Sequence, residues 1–157
     1  MLFGFPNPVN EKAARVVAGV VCLIAIGALA SALYWLSAVL AYGFIARVLT
    51  GPRLSPLGRI ASSVVAPRLG PPKYVPGPPK RFAQAIGAVI TTGAAVAALA
   101  GADTVAIVLL ALIVAAATLE SVFAICVGCK LFALLMAAGL VPASVCAECA
   151  DLSLRGA

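Results

Sequence analysis

The chain has 157 residues, 64% of them hydrophobic and 10% charged, with a formal net charge of +6 and no histidine. Its mean hydropathy of +1.16 lies far above that of a soluble domain, in which about a quarter of the residues are charged. It therefore reads as an integral membrane protein with room for about four spans of roughly 20 residues, which excludes large extramembrane domains, and the lack of histidine excludes imidazole as base, proton relay or metal ligand.

In chain order, the polar start Asn10-Glu11-Lys12 leads into a first apolar run over about 13–32. Within it Ala28-Leu29-Ala30 resembles the small-residue cleavage site of a secretory signal, but the apolar pattern resumes at once, so the run is expected to span. The second run, 33–49, opens on Tyr34 and Trp35, whose rings prefer the interface, and closes on Arg47. These two runs predict a tight helical hairpin. Residues 50–80 then hold Pro52, Pro56, Pro67, Pro71, Pro72, Pro76, Pro78 and Pro79. Proline lacks the N–H a helix needs, so the segment reads as a loop with one short amphipathic helix at 57–65 lying on the bilayer.

A third run covers 82–100, and Gly101-Ala102-Asp103 forms a turn. Apolar sequence follows from Thr104 to Leu140, broken only by Glu120 and Lys130. As one helix this stretch would reach about 55 Å, against a hydrocarbon core of about 30 Å. A break near Gly128 divides it into a fourth span at 105–125 and a short helix at 131–139, which lies in the interface, re-enters, or projects. The expected fold is all-α: four transmembrane helices as two hairpins plus that short helix, in a single membrane domain over 1–157 with a cysteine-bearing segment at 126–157.

Charge orients the chain. Lys12 precedes the first span and Arg15 lies just inside its start, and Arg47, Arg53, Arg59, Arg68, Lys73, Lys80 and Arg81 flank or occupy the 50–80 loop, while the other two connections hold no basic residue. By the positive-inside rule both termini and this loop face the cytoplasm, and Lys130 and Arg155 agree. The loop residues Arg53, Arg59, Arg68, Lys73, Lys80 and Arg81 are candidate contacts for anionic lipid headgroups or for an acidic soluble partner. Nucleic acid is not expected, because no aromatic residues interleave with the basic ones in a folded domain, and no glycine-rich phosphate loop is present.

Four of the five cysteines form Cys126-Val127-Gly128-Cys129 and Cys146-Ala147-Glu148-Cys149. Stable disulfides are rare in the cytoplasm, so such pairs there cycle, carry sulfur or hold metal. On a helix Cys126 and Cys129 share a face; Gly128 is expected to let the backbone bend between them, and Lys130 favours thiolate. Cys146 follows Pro142 and Ser144, a plausible start for a terminal helix whose dipole favours thiolate, with Glu148 opposing it. The 16-residue separation, 130–145, also falls in the window of a four-cysteine zinc site, although zinc ribbons hold their ligands on hairpin loops rather than in an apolar helical run. Cys22, in mid-span, reads as a small packing residue.

Glu120 lies a turn or more inside the fourth span, where a carboxylate needs a partner. Arg81, Lys80 and Gln84 are the candidates, and proton exchange with the cysteine site is a second role. Gln84, Thr91 and Thr92 read as interhelical hydrogen-bonders.

Arg53-Leu-Ser-Pro-Leu-Gly-Arg59, Ala66-Pro-Arg-Leu-Gly-Pro-Pro72, Pro79-Lys-Arg-Phe-Ala-Gln-Ala-Ile-Gly87 and Leu119-Glu120 leading to Cys126-Val-Gly-Cys129 together resemble a domain-of-unknown-function family of short, largely actinobacterial membrane proteins. The resemblance covers nearly the whole chain. It implies a four-helix membrane domain with Cys-x-Gly-Cys after the fourth span, and relatives beside thioredoxin-like and rhodanese-type proteins. It carries to Arg59, Pro67, Arg68, Phe82, Gln84, Glu120, Cys126 and Cys129, supplies no activity, and does not extend to Cys146 and Cys149. The expected function is a cytoplasm-facing membrane thiol protein that relays electrons or sulfane sulfur to or from a soluble thioredoxin- or rhodanese-like partner. The alternatives are a non-enzymatic anchor with zinc on Cys126, Cys129, Cys146 and Cys149, and a permease for a small solute or sulfur compound with Glu120 and Gln84 lining its path.

Overall fold

A computed structural model describes residues 4–150; Met1, Arg155 and Ala157, used above for orientation, lie outside these residues. Asn10 opens the first helix, α1 (Glu11–Ala30), by accepting the Lys12 N–H on Oδ1 at 3.0 Å. Val17, Val21, Ala25 and Ala28 recur on one buried stripe of α1 and pack on α6 (Asp103–Phe123), as a helical period requires. The second helix, α2 (Leu36–Thr50), packs on α5 (Gly77–Leu99), and α5 in turn lies against α6. Sequence neighbours α1 and α2 are joined by a turn through Ser31–Trp35 but make their main contacts with these other helices, so the tight hairpin expected between them is not the main packing unit.

Helix α1, α5 and α6 are each long and apolar enough to cross a membrane. Helix α2 is shorter, at 15 residues, or about 22 Å. The outward faces carry Leu23, Val89, Val96, Leu99, Leu112 and Val122, all exposed, whereas the helix contacts are made by small residues, with Ala25, Ala28, Ala94 and Ala106 fully buried. Large side chains outside and small ones inside bring the backbones together by van der Waals contact. Gly87 is the tightest such point, for a Cβ there would overlap the Phe44 ring of α2.

Several boundaries differ from the sequence reading. Helix α5 begins at Gly77 rather than 82, because Pro78 and Pro79 occupy its first turn, where no N–H is needed. The loop helix extends from 57–65 to a continuous stretch: α3 (Pro56–Ile60), capped by Ser55, then a π-helical turn (Ala61–Val65) and α4 (Ala66–Arg68). The Ala66 N–H bonds to Ala61 O, and this wider turn relieves the clash that Pro67 would bring to a regular helix. Ala61 and Ala66 bury this stretch against α1. Two short strands, β1 (Val9–Asn10) and β2 (Tyr74–Val75), pair antiparallel.

The chain breaks at Ala124, which is left-handed with φ 57°, and not at Gly128. Helix α7 then runs Val127–Ala137 instead of 131–139. Gly128 therefore does not bend the backbone. Its lack of a side chain lets α7 touch α5, since a Cβ there would fall 2.5 Å from Ala83 Cβ, and the Phe82 and Phe132 rings meet beside it with centroids 5.6 Å apart. A 3-10 turn (Ala143–Val145) and a four-residue α8 (Ala147–Ala150) follow.

The Gly87 contact yields a stability prediction. Gly87→Ala should destabilise the detergent-solubilised protein by about 1–3 kcal/mol, the cost of overpacking, while Gly27→Ala, with nothing within 4 Å, should be neutral or stabilising by about 0.4–1 kcal/mol. Equal denaturation midpoints for the two variants would show that α2 and α5 do not approach as described.

Candidate functional site

One end of the bundle gathers the chain's chemistry. Four cations there meet carbonyl or carboxylate oxygens at helix ends or beside the strands. Lys12 Nζ donates to Leu69 O at 2.8 Å, and Arg15 donates through Nη2 to Ser121 O at 3.0 Å and Val122 O at 3.3 Å. Arg81 Nε donates to Val48 O at 3.1 Å, and Lys73 pairs with Glu11 at 2.9 Å. Cations suit the electronegative C-terminal ends of helices, and these contacts tie the starts of α1 and α5 to the ends of α6, α4 and α2. The 51–76 connection and both cysteine pairs lie at this same end.

Glu120 lies within this group. Of the partners the sequence offered, Lys80 takes it, with Nζ 2.6 Å from Glu120 Oε1 and both side chains largely buried. Lys80 is therefore an interior residue, not the headgroup contact expected of it. Arg53, Arg59, Arg68, Lys73 and Arg81 are exposed, as headgroup contact requires. Gln84 turns instead to Arg47, whose Nε donates to Gln84 Oε1 at 2.8 Å. The Arg47 guanidinium also rests on the Phe44 ring, 4.6 Å from its centroid, and donates through Nη1 to Ser55 Oγ at 3.3 Å. Thr91 bonds to its own helix, at Gly87 O, 2.7 Å away.

The first cysteine pair sits where α7 starts. Cys126 is the N-cap, extended at φ −88° and ψ 103°, and its Sγ accepts the Cys129 N–H at 3.3 Å. That capping bond draws Cys129 back over Cys126, and the two form a disulfide with Cα atoms 5.2 Å apart. The pair is thus at a helix N-terminus, not inside a helical run. Lys130 is exposed on the first turn of the same helix. Cys146 and Cys149 also pair, with Cys146 buried. The expected tail helix begins only at Ala147, so Cys146 ends a 3-10 turn rather than opening a long helix; the side chain of Glu148 lies outside the described residues.

The two pairs are not drawn together. Among the described residues no three potential ligands are placed to hold a metal ion. Cys22 is buried between α1 and α6, with Sγ 3.3 Å from Thr118 Oγ1.

A cavity of about 350 Å³ connects these groups: Cys126 and Gly128 line it together with Glu120, Gln84, Arg47 and Phe44. Glu120, Gln84 and Cys126 were singled out in the sequence. Arg47 was read there only as a topology marker, and its one signal of interior placement is Phe44, which lies one helical turn before it. A family model described as a domain of unknown function, DUF4395, matches residues 9–137. No curated protein and no solved structure matches the chain. The match spans most of the chain, and the protein belongs to this family; the matched region includes Cys126 and Cys129 and ends before Cys146 and Cys149.

The interior ion pair can be tested by a double-mutant cycle. Glu120→Leu alone should cost about 3–5 kcal/mol, because it strands a buried ammonium, and Lys80→Met/Glu120→Leu should recover most of that loss. Additive losses in the double variant would mean that the two groups do not interact.

Proposed function

We propose that this DUF4395 member is a four-span inner-membrane thiol protein, with α1, α2, α5 and α6 crossing the bilayer and both termini in the cytoplasm. In this reading it relays electrons or sulfane sulfur between its Cys126–Cys129 pair and a soluble thioredoxin- or rhodanese-like protein. The observation that carries it is the placement of Cys126 as N-cap of α7, with Cys129 held against it. In the electron direction, the Cys126 thiolate attacks a partner disulfide, forming a mixed disulfide and releasing one partner thiolate. The Cys129 thiolate then attacks Cys126 Sγ, closing the internal disulfide and leaving the partner as a dithiol, two electrons richer. The reverse steps reduce the pair. In the sulfur direction, the Cys126 thiolate takes the outer sulfur of a partner persulfide, and the partner leaves as a thiolate. Cysteines 146 and 149 lie outside the family match and are accessory in this scheme.

Unequal roles within the pair give a direct test. Cys129→Ser should accumulate a mixed disulfide with a soluble thiol protein through Cys126, visible as a reducible adduct on non-reducing gels, and Cys126→Ser should accumulate none. Equal adducts from both variants, or none from either, would end the assignment. Orientation is tested at Ser62, exposed on the loop helix: Ser62→Cys should resist a membrane-impermeant maleimide in intact cells and react after permeabilisation. Labelling in intact cells would place the cysteine end outside and remove the cytoplasmic partner.

A further inference from the structure

We propose that Arg47 forms, inside the bundle, a binding site for a small inorganic oxyanion. Arg47 is only 6% exposed. Its Nε and Nη1 are engaged by Gln84 and Ser55, but Nη2 is buried with no partner at all. Both engaged partners are neutral, so the guanidinium charge has no counter-ion bonded to it. Among the described residues the ion pairs are Lys73 with Glu11 and Lys80 with Glu120. Glu120 lines the same cavity as Arg47, yet it is held by Lys80, and that pair is neutral as a unit. Asp103 begins α6 at the opposite end of the bundle.

A buried charge left unpaired is expensive, and an anion would relieve the cost. The donors favour an oxyanion over a halide. The guanidinium is a planar fork of N–H groups matched to paired oxygens. Gln84, with Oε1 turned to Arg47, is left with its amide N–H groups to offer.

There is also room. Besides the 350 Å³ cavity reaching to Cys126, a second of about 190 Å³ is lined by Pro8, Asn10, Ser62 and Lys80. Arg47, Gln84, Ala14 and Val17 line both. At about 30 Å³ for each water, either holds several waters or one small oxyanion with part of its hydration. The smaller cavity opens among the N-terminal segment and the loop helix, at the polar end of the bundle, which gives an anion a route that does not cross lipid.

Equilibrium dialysis of the purified full-length chain against radiolabelled sulfate tests the site, since thermal stabilisation would be confounded by the general stabilising effect of sulfate. The expected result is saturable binding near one sulfate per chain, displaced by thiosulfate and unaffected by chloride at equal ionic strength. Arg47→Gln should abolish it, and Gln84→Ala, which keeps the guanidinium, should weaken it at least fivefold. Thr92→Ala, at an exposed position of α5 outside both cavities, should bind as the unmodified chain does. Absence of saturable binding, full displacement by chloride, or unchanged binding in Gln84→Ala would overturn the proposal. Should Arg47→Gln fail to fold, the unmodified chain and Gln84→Ala decide the matter.

Discussion

The ion pair between Lys80 and Glu120 constrains the whole cysteine-bearing end of the molecule. Neither charge can remain single in so apolar a bundle, so the first turns of α5 and the last turn of α6 must lie side by side in one register. Helix α6 then ends just beyond Glu120, at Phe123, and the left-handed residue Ala124 turns the chain. Because α5 is already in place there, the side-chain-free surface of Gly128 finds Ala83, Phe132 finds Phe82, and α7 docks with Cys126 at its head. The position of the thiols therefore follows from a charge pair on two other helices.

Packing of this kind leaves little to large hydrophobic side chains. In a bilayer, hydrocarbon outside is as apolar as leucine inside, so helix association depends on close fit and on polar contacts. Alanines and Gly87 supply the fit. The polar contacts concentrate at one end, where Arg15, Arg47, Lys80 and Arg81 each bridge two segments of the chain. The other end, with its turns near Ser31 and Gly101, holds by backbone bonds such as Leu33 N–H to Ala28 O and Ala102 N–H to Ala97 O. The asymmetry places the strongest constraints beside the candidate chemistry.

Much of the helical outline was legible in the sequence because long apolar runs declare themselves by composition. Boundaries were less so. Pro78 and Pro79 look like helix breakers, yet first-turn prolines are compatible with a helix start, and nothing local says which role they take. The break at Ala124 was misplaced to Gly128 because glycine is the usual left-handed residue, whereas here an alanine adopts that conformation and the glycine serves a close contact. Glu120 announced itself as a lone carboxylate in an apolar run, and its three candidate partners included the one it has. Arg47 did not. At the end of an apolar helix an arginine reads as an interfacial anchor, and only the tertiary placement of Phe44, Gln84 and Ser55 reveals it as interior.

The two cysteine pairs share a spacing but not a setting. In the first, Cys126 caps an eleven-residue helix that packs on α5 through Gly128 and Phe132, so the helix has support that does not depend on the disulfide. In the second, Cys146 closes a three-residue 3-10 turn and Cys149 sits in a four-residue helix, too short to hold itself without tertiary support. Reduction there removes a cross-link from a segment that has no long helix of its own. A thiol pair that must present the same geometry in both redox states is better served by the first arrangement. The distinction agrees with the extent of the family match, which keeps the anchored pair and leaves the tail pair outside.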